Sequence, residues 1–143
     1  MQHAAMYLTQ SEWVLTSMSR TRAGVWVANF VIHRLAAECP DEELGAALCE
    51  SLGASQTEVE HPASWPLYHR EFREKLGVLS FERFVDRSRM LAVHCVAETV
   101  VLTPHRNRGH RHGYQPLAAK LTVQAADAQS LGQAVRQCAE RCE

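Results

Sequence analysis

Residues 90–103 read MLAVHCVAETVVLT, and this stretch decides the fold. Met90 to Val96 alternates and is rich in β-branched and apolar side chains, and Thr99 to Thr103 has the same composition. The two residues between them, Ala97 and Glu98, have the length of a hairpin turn. The stretch therefore predicts two neighbouring antiparallel strands.

The same order of elements occurs once more, nearer the start of the chain. WVLT at 13–16 matches VVLT at 100–103, and LGAAL at 44–48 matches LGQAV at 131–135, both at an offset of 87 residues. RLAA at 34–37 matches KLTV at 120–123 at an offset of 86. Three matches in one order predict a diverged duplication with βββα repeats at about 5–53 and 90–142.

Each predicted repeat ends in a helix. In the first, Pro40 suits the first turn, three acidic residues follow it at the positive end of the helix dipole, and Gly53 is a natural stop. In the second, Asp127 is the candidate N-cap. The apolar stripes are Leu44, Ala47, Leu48 and Leu52 in the first helix, and Leu131, Ala134, Val135, Cys138 and Cys142 in the second.

Two short helices within residues 63–87 join the repeats. Trp65 to Leu76 has one apolar face and ends at Gly77, and Ser80 caps a further helical turn. Third strands are expected at about 25–37, with a break near Asn29, and at 115–124. The prediction is one α+β domain over residues 1–143: an antiparallel sheet of about six strands, helices packed on it, and pseudo-twofold symmetry between the repeats.

The net charge argues against an ordinary nucleic-acid-binding domain. The chain has 15 basic and 16 acidic side chains, whereas such domains carry a marked basic excess. The charge is uneven along the chain, with seven acids and no Lys or Arg in 38–60, and ten bases against five acids in 70–120. This polarity fits docking onto a charged protein partner.

The chain shows no apolar run of transmembrane length, and its first ten residues lack the features of a signal peptide. A cytoplasmic protein that contacts no membrane is expected. The five cysteines form no CxxC pair, which is typical of structural thiols in a reducing compartment.

Motifs that carry catalysis are missing. The sequence has no GxxxxGK[ST], GxGxxG, GxSxG or HExxH pattern. His110 and His112 would share one face of a strand, but the arginines beside them would repel a metal ion, and His94 is expected to be a hydrogen-bonded structural residue. We therefore expect no catalytic residue, no metal and no cofactor, and a binding protein rather than an enzyme.

The second repeat carries a family resemblance. Residues 76–117, LGVLSFERFVDRSRMLAVHCVAETVVLTPHRNRGHRHGYQPL, resemble the immunity proteins of bacterial contact-dependent growth inhibition (CDI) systems. The similarity extends to the helix PDEELGAALCESLGAS, the segment HPASWP and the last helix, and it is weakest over the first 35 residues. One difference lies at 109–113, where such proteins look rich in glycine and this chain has His110, Arg111 and His112.

The resemblance implies a function. Such proteins bind the C-terminal toxin domain of a large exported protein, CdiA, and neutralise it in the cytoplasm by contact alone. The toxins are frequently nucleases that often attack tRNA. The resemblance therefore implies a cognate CDI toxin domain as the partner, in a one-to-one complex.

Two surfaces are candidates for the toxin interface. The first is the basic loop, residues 105–112, because arginine forms bidentate pairs with carboxylates; its candidates are Arg106, Arg108, His110, Arg111, His112 and the neighbouring Tyr114. The second is the acidic strip, which could mimic nucleic acid: Glu38, Asp41, Glu42, Glu43 and Glu50. A solvated turn, a solvated helix face, and a nucleic-acid-binding antitoxin that uses the basic loop remain the alternatives.

Overall fold

The computed structural model describes residues 1–124 and 127–143. Within them, seven strands and four helices follow one another along the chain. Their bounds are β1 Gln2–Leu8, β2 Glu12–Arg20, β3 Trp26–Ala36, α1 Asp41–Gly53, α2 Trp65–Leu76, α3 Phe81–Arg87, β4 Arg89–Val96, β5 Thr99–Asn107, β6 Tyr114–Pro116, β7 Leu121–Gln124 and α4 Ala128–Glu140.

All the strands form one antiparallel sheet in the order β3-β2-β1-β4-β5, and both β6 and β7 pair with β5. The α+β prediction is confirmed, but the expected single strand at 115–124 is wrong. β6 pairs with residues 105–107 and β7 with residues 99–102. Pro104 and Pro116 have no N–H to donate to the ladder at this point, so the strand is divided and the sheet has seven strands.

The two halves of the chain meet at the centre of the sheet, where β1 pairs with β4 and Ala5 lies opposite Ala92. These two residues are 87 apart, as are the first residues of β2 and β5 and of α1 and α4. The predicted repeats therefore contribute corresponding elements. That they arose by duplication is a statement about origin and stays a prediction.

Helices α1 and α4 cross at two glycines. A Cβ atom on Gly45 would lie 1.8 Å from the carbonyl oxygen of Ala128, and one on Gly132 would lie 1.9 Å from that of Asp41. Only glycine allows this approach, so each helix carries a glycine where it meets the first turn of the other. Arg136 closes the crossing, because its Nε donates to Asp41 Oδ1 at 2.6 Å.

Each face of the sheet has its own core. The larger core lies between the sheet and the α1–α4 pair and contains Met6, Trp13 and Leu15 among its fully buried side chains. The smaller core lies on the opposite face under α2 and α3, where Val14 packs with Leu76, Phe84 and Val85. The molecule therefore has three layers, with helices on both sides of one sheet.

The predicted end of α2 and cap of α3 are confirmed, whereas Pro40, expected in the first turn of α1, lies one residue before that helix, and Ser64 is a cap that was not predicted. Ser64 and Ser80 cap α2 and α3 by accepting hydrogen bonds from Leu67 N and Arg83 N. Gly77 ends α2 with a φ of 65° in the left-handed region, as expected. α1 ends at Gly53 as predicted, although without a left-handed cap, since Ala54 follows in the right-handed region. No helix among the described residues is long and apolar enough to cross a membrane.

Candidate functional site

The basic loop is shorter than its sequence indicates. Strand β5 continues to Asn107 and β6 begins at Tyr114, so residues 108–113 alone form the turn. Arg108 N donates to the carbonyl oxygen of Gly113 at 2.9 Å, and Gly113 N donates to that of Gly109 at 2.8 Å. Both glycines have a φ near +75°, 81° and 71° respectively, which is why glycine suits these two places.

Asn107 fixes the turn to helix α3. Its Nδ2 donates to the carbonyl oxygens of Val85 at 2.7 Å and Ser88 at 2.8 Å. Its Oδ1 accepts from Gly109 N at 2.8 Å. One amide thus satisfies the end of α3 and the start of the turn, so the turn and α3 form one surface.

His110 is also held by α3. Its backbone N donates to Asp86 Oδ1 at 2.8 Å, and its Nδ1 lies 3.0 Å from Asp86 Oδ2. The hydrogen bond from the backbone of His110, followed by that from its ring, lowers the pKa of Asp86. His110 and His112 lie in the turn and not on a strand, so they lack the shared strand face that a two-histidine metal grip requires.

Three other candidates, in or next to the basic loop, have partners within the chain. Arg106 lies at the end of β5 and pairs with Glu143 at 2.6 Å, with both side chains about half exposed. Arg108 Nη1 donates to Gln115 Oε1 at 3.3 Å. Tyr114 donates to the carbonyl oxygen of Val85 at 3.1 Å, and burial raises its pKa to about 12.

Arg111 and His112 are exposed, and their side chains form no hydrogen bond or ion pair within the described part of the chain. Of the arginines in this loop, Arg111 therefore faces solvent without a partner within the described residues, whereas Arg106 is paired with Glu143.

His105 does not belong to an exposed loop, so the loop bounds 105–112 are wrong at their first residue. Its side chain is buried in β5, and its Nδ1 lies 3.0 Å from the carbonyl oxygen of Thr103. A protonated imidazole at this buried position would lose its hydration, and burial therefore lowers the pKa of His105. A nucleic-acid phosphate cannot contact the buried ring of His105 unless the side chains packed around it move away.

The sequence gives no sign of the histidine cluster to which His105 belongs. His3 and His94 lie opposite each other on β1 and β4, with ring centroids 4.0 Å apart, and Trp26 packs on His3 at 4.9 Å. Burial, and then the neighbouring His94, lowers the pKa of His3 to about 4, and its Nδ1 has no partner within the described residues. His94 was expected to be a hydrogen-bonded structural residue, but its ring packs against those of His3 and Trp26 and forms no hydrogen bond within the described residues. His3 and His94 are 91 residues apart in sequence and meet only because β1 pairs with β4, so local sequence patterns could not predict their contact.

Two of the five acidic side chains of the acidic strip already have partners within the chain. Asp41 pairs with Arg136 at the helix crossing, and Glu50 Oε2 lies 3.0 Å from His33 Nε2. The other three are exposed around the first turn of α1: Glu38, Glu42 and Glu43. A compact acidic patch therefore remains at this helix start, smaller than the sequence indicates.

No group of three or more His, Cys, Asp or Glu side chains that could hold a metal ion occurs in the described ranges. All five cysteines are free thiols, and burial raises the pKa of Cys138, which lies on the buried face of α4, to about 12. At neutral pH this thiol is protonated and is a poor nucleophile.

The fold and these surfaces define a small α+β protein with an exposed acidic patch at the start of α1 and an exposed basic turn between β5 and β6. A scan against protein-family models matches residues 2–142 to the family described as CdiI: CDI immunity protein. This match covers nearly the whole sequence, so the chain belongs to the CDI immunity protein family, which confirms the resemblance seen in its motifs.

Solved structures show the same fold. The protein of unknown function NMB0488 from Neisseria meningitidis superposes with a TM-score of 0.86 at 13% identity, covering 99% of this chain and 95% of that chain. One chain of the structure described as a CdiA-CT/CdiI toxin and immunity complex from Yersinia pseudotuberculosis superposes with a TM-score of 0.83 at 12% identity, covering 99% of this chain and 97% of that chain. At such identities the likeness concerns the fold. No curated protein matches the chain.

Proposed function

We propose that this protein binds the C-terminal toxin domain of a cognate CdiA protein and neutralises it by contact, one to one, in the cytoplasm of the cell that makes it. The toxin is a nuclease in this proposal, with tRNA as one candidate substrate. The protein performs no catalysis and needs no metal or cofactor. The observation that carries the proposal is the CDI immunity protein family match over residues 2–142.

The surface of the molecule supports this proposal. The acidic patch lies at the start of α1 and the basic turn lies between β5 and β6. The protein therefore presents two surface areas of opposite charge to a partner. Such complementarity steers encounter and selects one partner among many. A nuclease, whose substrate is a polyanion, has a basic surface that an acidic area can meet.

The test is calorimetric titration against the toxin domain encoded immediately upstream, with an unrelated CDI toxin domain as the control. We expect a stoichiometry of one and an interface of roughly 1,600 Å², the standard size for specific pairs. Co-expression should also restore growth to cells that make the toxin. No heat with the cognate toxin, together with no protection of growth, would refute the proposal.

The turn is one proposed contact surface. Arg108, Arg111 and His112 reach toward carboxylates of the toxin, while Arg106, His110 and Tyr114 hold the turn in place through their partners within the chain. Replacing Arg108 and Arg111 by Ala should weaken binding by about 2–5 kcal/mol, because toxin carboxylates would stay buried without partners. The melting temperature should not change.

The acidic strip is the rival contact surface, and the matched variant is Glu42→Gln/Glu43→Gln. Both residues are exposed, so this variant should keep its fold. Loss of affinity here, with full affinity in the arginine variant, would transfer the interface to α1.

A nucleic-acid-binding antitoxin is the second candidate function, favoured by the three arginines and three histidines in residues 105–112. The geometry weakens it, since His105 is buried and Arg106 and His110 pair with acids within the chain. With two or three cations left for phosphates, binding should be weak and should fall with salt. A gel shift at about 150 mM salt tests this, and a nanomolar shift on one promoter sequence would favour the antitoxin.

A further inference from the structure

A cavity of about 430 Å³ opens between strand β3 and helix α2, at the edge of the sheet opposite the basic turn. Buried Val27 and Ala28 line it from the strand, and Leu67 and Tyr68 line it from the helix. Its apolar lining and its size suit a single large side chain of a partner.

An unusual backbone conformation shapes this cavity. Phe30, which lines it, has a φ of 66°, in a region that an aromatic residue rarely adopts. The strain coincides with an irregularity where β3 carries extra residues opposite the interval from Thr16 to Met18 of β2. Strained residues of this kind persist where the surrounding structure holds them, and they cluster at binding sites.

Hydrogen bonds of the Asn29 side chain stabilise this backbone conformation. Its Nδ2 donates to Ser17 Oγ, Ser19 Oγ and the carbonyl oxygen of Ala54 at 2.9–3.0 Å, and its Oδ1 accepts from Val31 N at 3.1 Å. Ala28 N in turn donates to the hydroxyl of Tyr68 at 2.6 Å and ties α2 to the strand. The cavity is therefore formed before any partner arrives, which lowers the entropy cost of binding.

Aromatic rings continue from the cavity onto the surface. Trp65 is 37% exposed and packs edge-on against Tyr68 at 5.5 Å and against His61 at 5.1 Å. Leu67 beside it is 55% exposed. Exposed tryptophan next to an apolar recess is the composition of an interface hot spot.

The charged side chains that line the cavity are acidic, while Arg70 and Lys75 lie with Glu71 around the next recess along α2. Glu60 and Glu71 line it and are exposed, and no Lys, Arg or His side chain is among its lining residues in the described ranges. Neither carboxylate forms a hydrogen bond or an ion pair within the described part of the chain. Two free carboxylates beside aromatic rings favour a cation with an apolar stem.

We infer that this cavity receives an arginine side chain of the toxin and is an anchor point of the toxin–immunity complex; the inference rests on the proposed function. The aliphatic stem of the arginine would lie on Val27 and Leu67, and its planar guanidinium would pair with Glu60 or Glu71 and stack on Tyr68. Arginine suits the site better than lysine, because its fork donates to a carboxylate bidentately while its face stacks on a ring.

The test compares three variants by calorimetric titration with the toxin domain. Glu60→Gln/Glu71→Gln removes both charges without changing shape and should raise Kd roughly tenfold or more. Glu74→Gln is the matched control, since Glu74 lies one turn further along α2 and does not line this cavity. Arg83→Gln/Arg87→Gln alters a second cavity of about 710 Å³, rimmed by arginines, which would take an acidic partner.

The outcomes separate the inference from the function on which it rests. If the wild type binds no toxin, the proposed function and the inference both fail. If the wild type binds and Glu60→Gln/Glu71→Gln binds equally well, the inference alone is overturned. An effect confined to Arg83→Gln/Arg87→Gln overturns it as well and places the anchor at the other cavity.

A second measurement locates the contact directly. The chain has three tryptophans, of which Trp13 is 1% exposed and Trp65 is 37% exposed. With 5-fluorotryptophan in this chain and an unlabelled toxin, the fluorine resonance of Trp65, assigned through Trp65→Phe, should move on binding while that of Trp13 stays. A saturated complex in which the Trp65 resonance does not move contradicts the inference.

Discussion

Replacing Gly45 by alanine should destabilise the protein, even though alanine is the better helix former. The added Cβ would lie 1.8 Å from the carbonyl oxygen of Ala128, a backbone atom that cannot turn away. To reach ordinary contact, α1 and α4 must separate by roughly 1.6 Å, and a gap of about 1 Å already loses up to half of the dispersion energy across a contact.

The magnitude follows from two opposing terms. Overpacking of a core costs about 1–3 kcal/mol, and we take the upper end because Leu44, Leu48, Leu131 and Val135 all lie buried beside the crossing. Alanine regains about 1 kcal/mol of helix propensity. The free energy of unfolding should therefore fall by about 2 kcal/mol, which lowers the urea midpoint by about 1 M at an ordinary slope for this size.

Gly53→Ala in the same helix is the matched control. No atom lies within 4 Å of its added Cβ, and its φ is not positive, so only the propensity gain remains and stability should rise by about 0.5–1 kcal/mol. The double variant Gly45→Ala/Gly132→Ala should cost less than the sum of its parts, because one separation of the helices relieves both clashes. A urea midpoint for Gly45→Ala at or above that of the wild type, with an unchanged slope, would refute this account of the crossing.

Two further variants test the turn and the histidine cluster. Asn107→Ala leaves the carbonyl oxygens of Val85 and Ser88 and the N–H of Gly109 without their partner, so urea unfolding should show a loss of about 2–3 kcal/mol; no loss would mean that water replaces the amide. His3 has a pKa of about 4 in the folded protein and near 6.5 when unfolded, so the unfolded chain binds more protons between these values and stability must fall as the pH falls from 6.5 to 4. The full loss is about 3 kcal/mol, and His3→Phe should flatten the dependence of the urea midpoint on pH in this window. An unchanged pH dependence in His3→Phe would assign the effect to other groups.

Local signals in the sequence were sufficient for most helices and hairpins. Gly77 and Ser80 predicted the end of α2 and the start of α3 because caps depend on a few neighbouring residues. The hairpin at Ala97-Glu98 was likewise confirmed. The offset of 87 residues also separates the first residues of α1 and α4 in the structure, and a common origin of the two halves stays a prediction.

Contacts between residues far apart in sequence could not be predicted from these local signals. The burial of His105 depends on β5 continuing past Pro104, and the division of the strand at 115–124 depends on which residues of β5 it pairs with. The cavity beside Phe30 needs an irregular strand and a helix 35 residues later to meet. The charges of the basic loop were visible in the sequence, but their partners Asp86 and Glu143 became apparent only in three dimensions.

Because β1 pairs with β4, the first strand must wait during synthesis until the fourth strand has been made. Strand β1 ends at Leu8, and its central neighbour is complete only at Val96, so at about 5–20 residues per second a ribosome needs roughly 4 to 18 s to supply it. During that interval β1 presents an unpaired edge, and the glycine face of α1 has no helix to cross. The nascent first half is thus a sheet with an open side, exposed to other chains until its own second half arrives. Each new molecule therefore reaches the described fold only after β7 and α4 have left the ribosome.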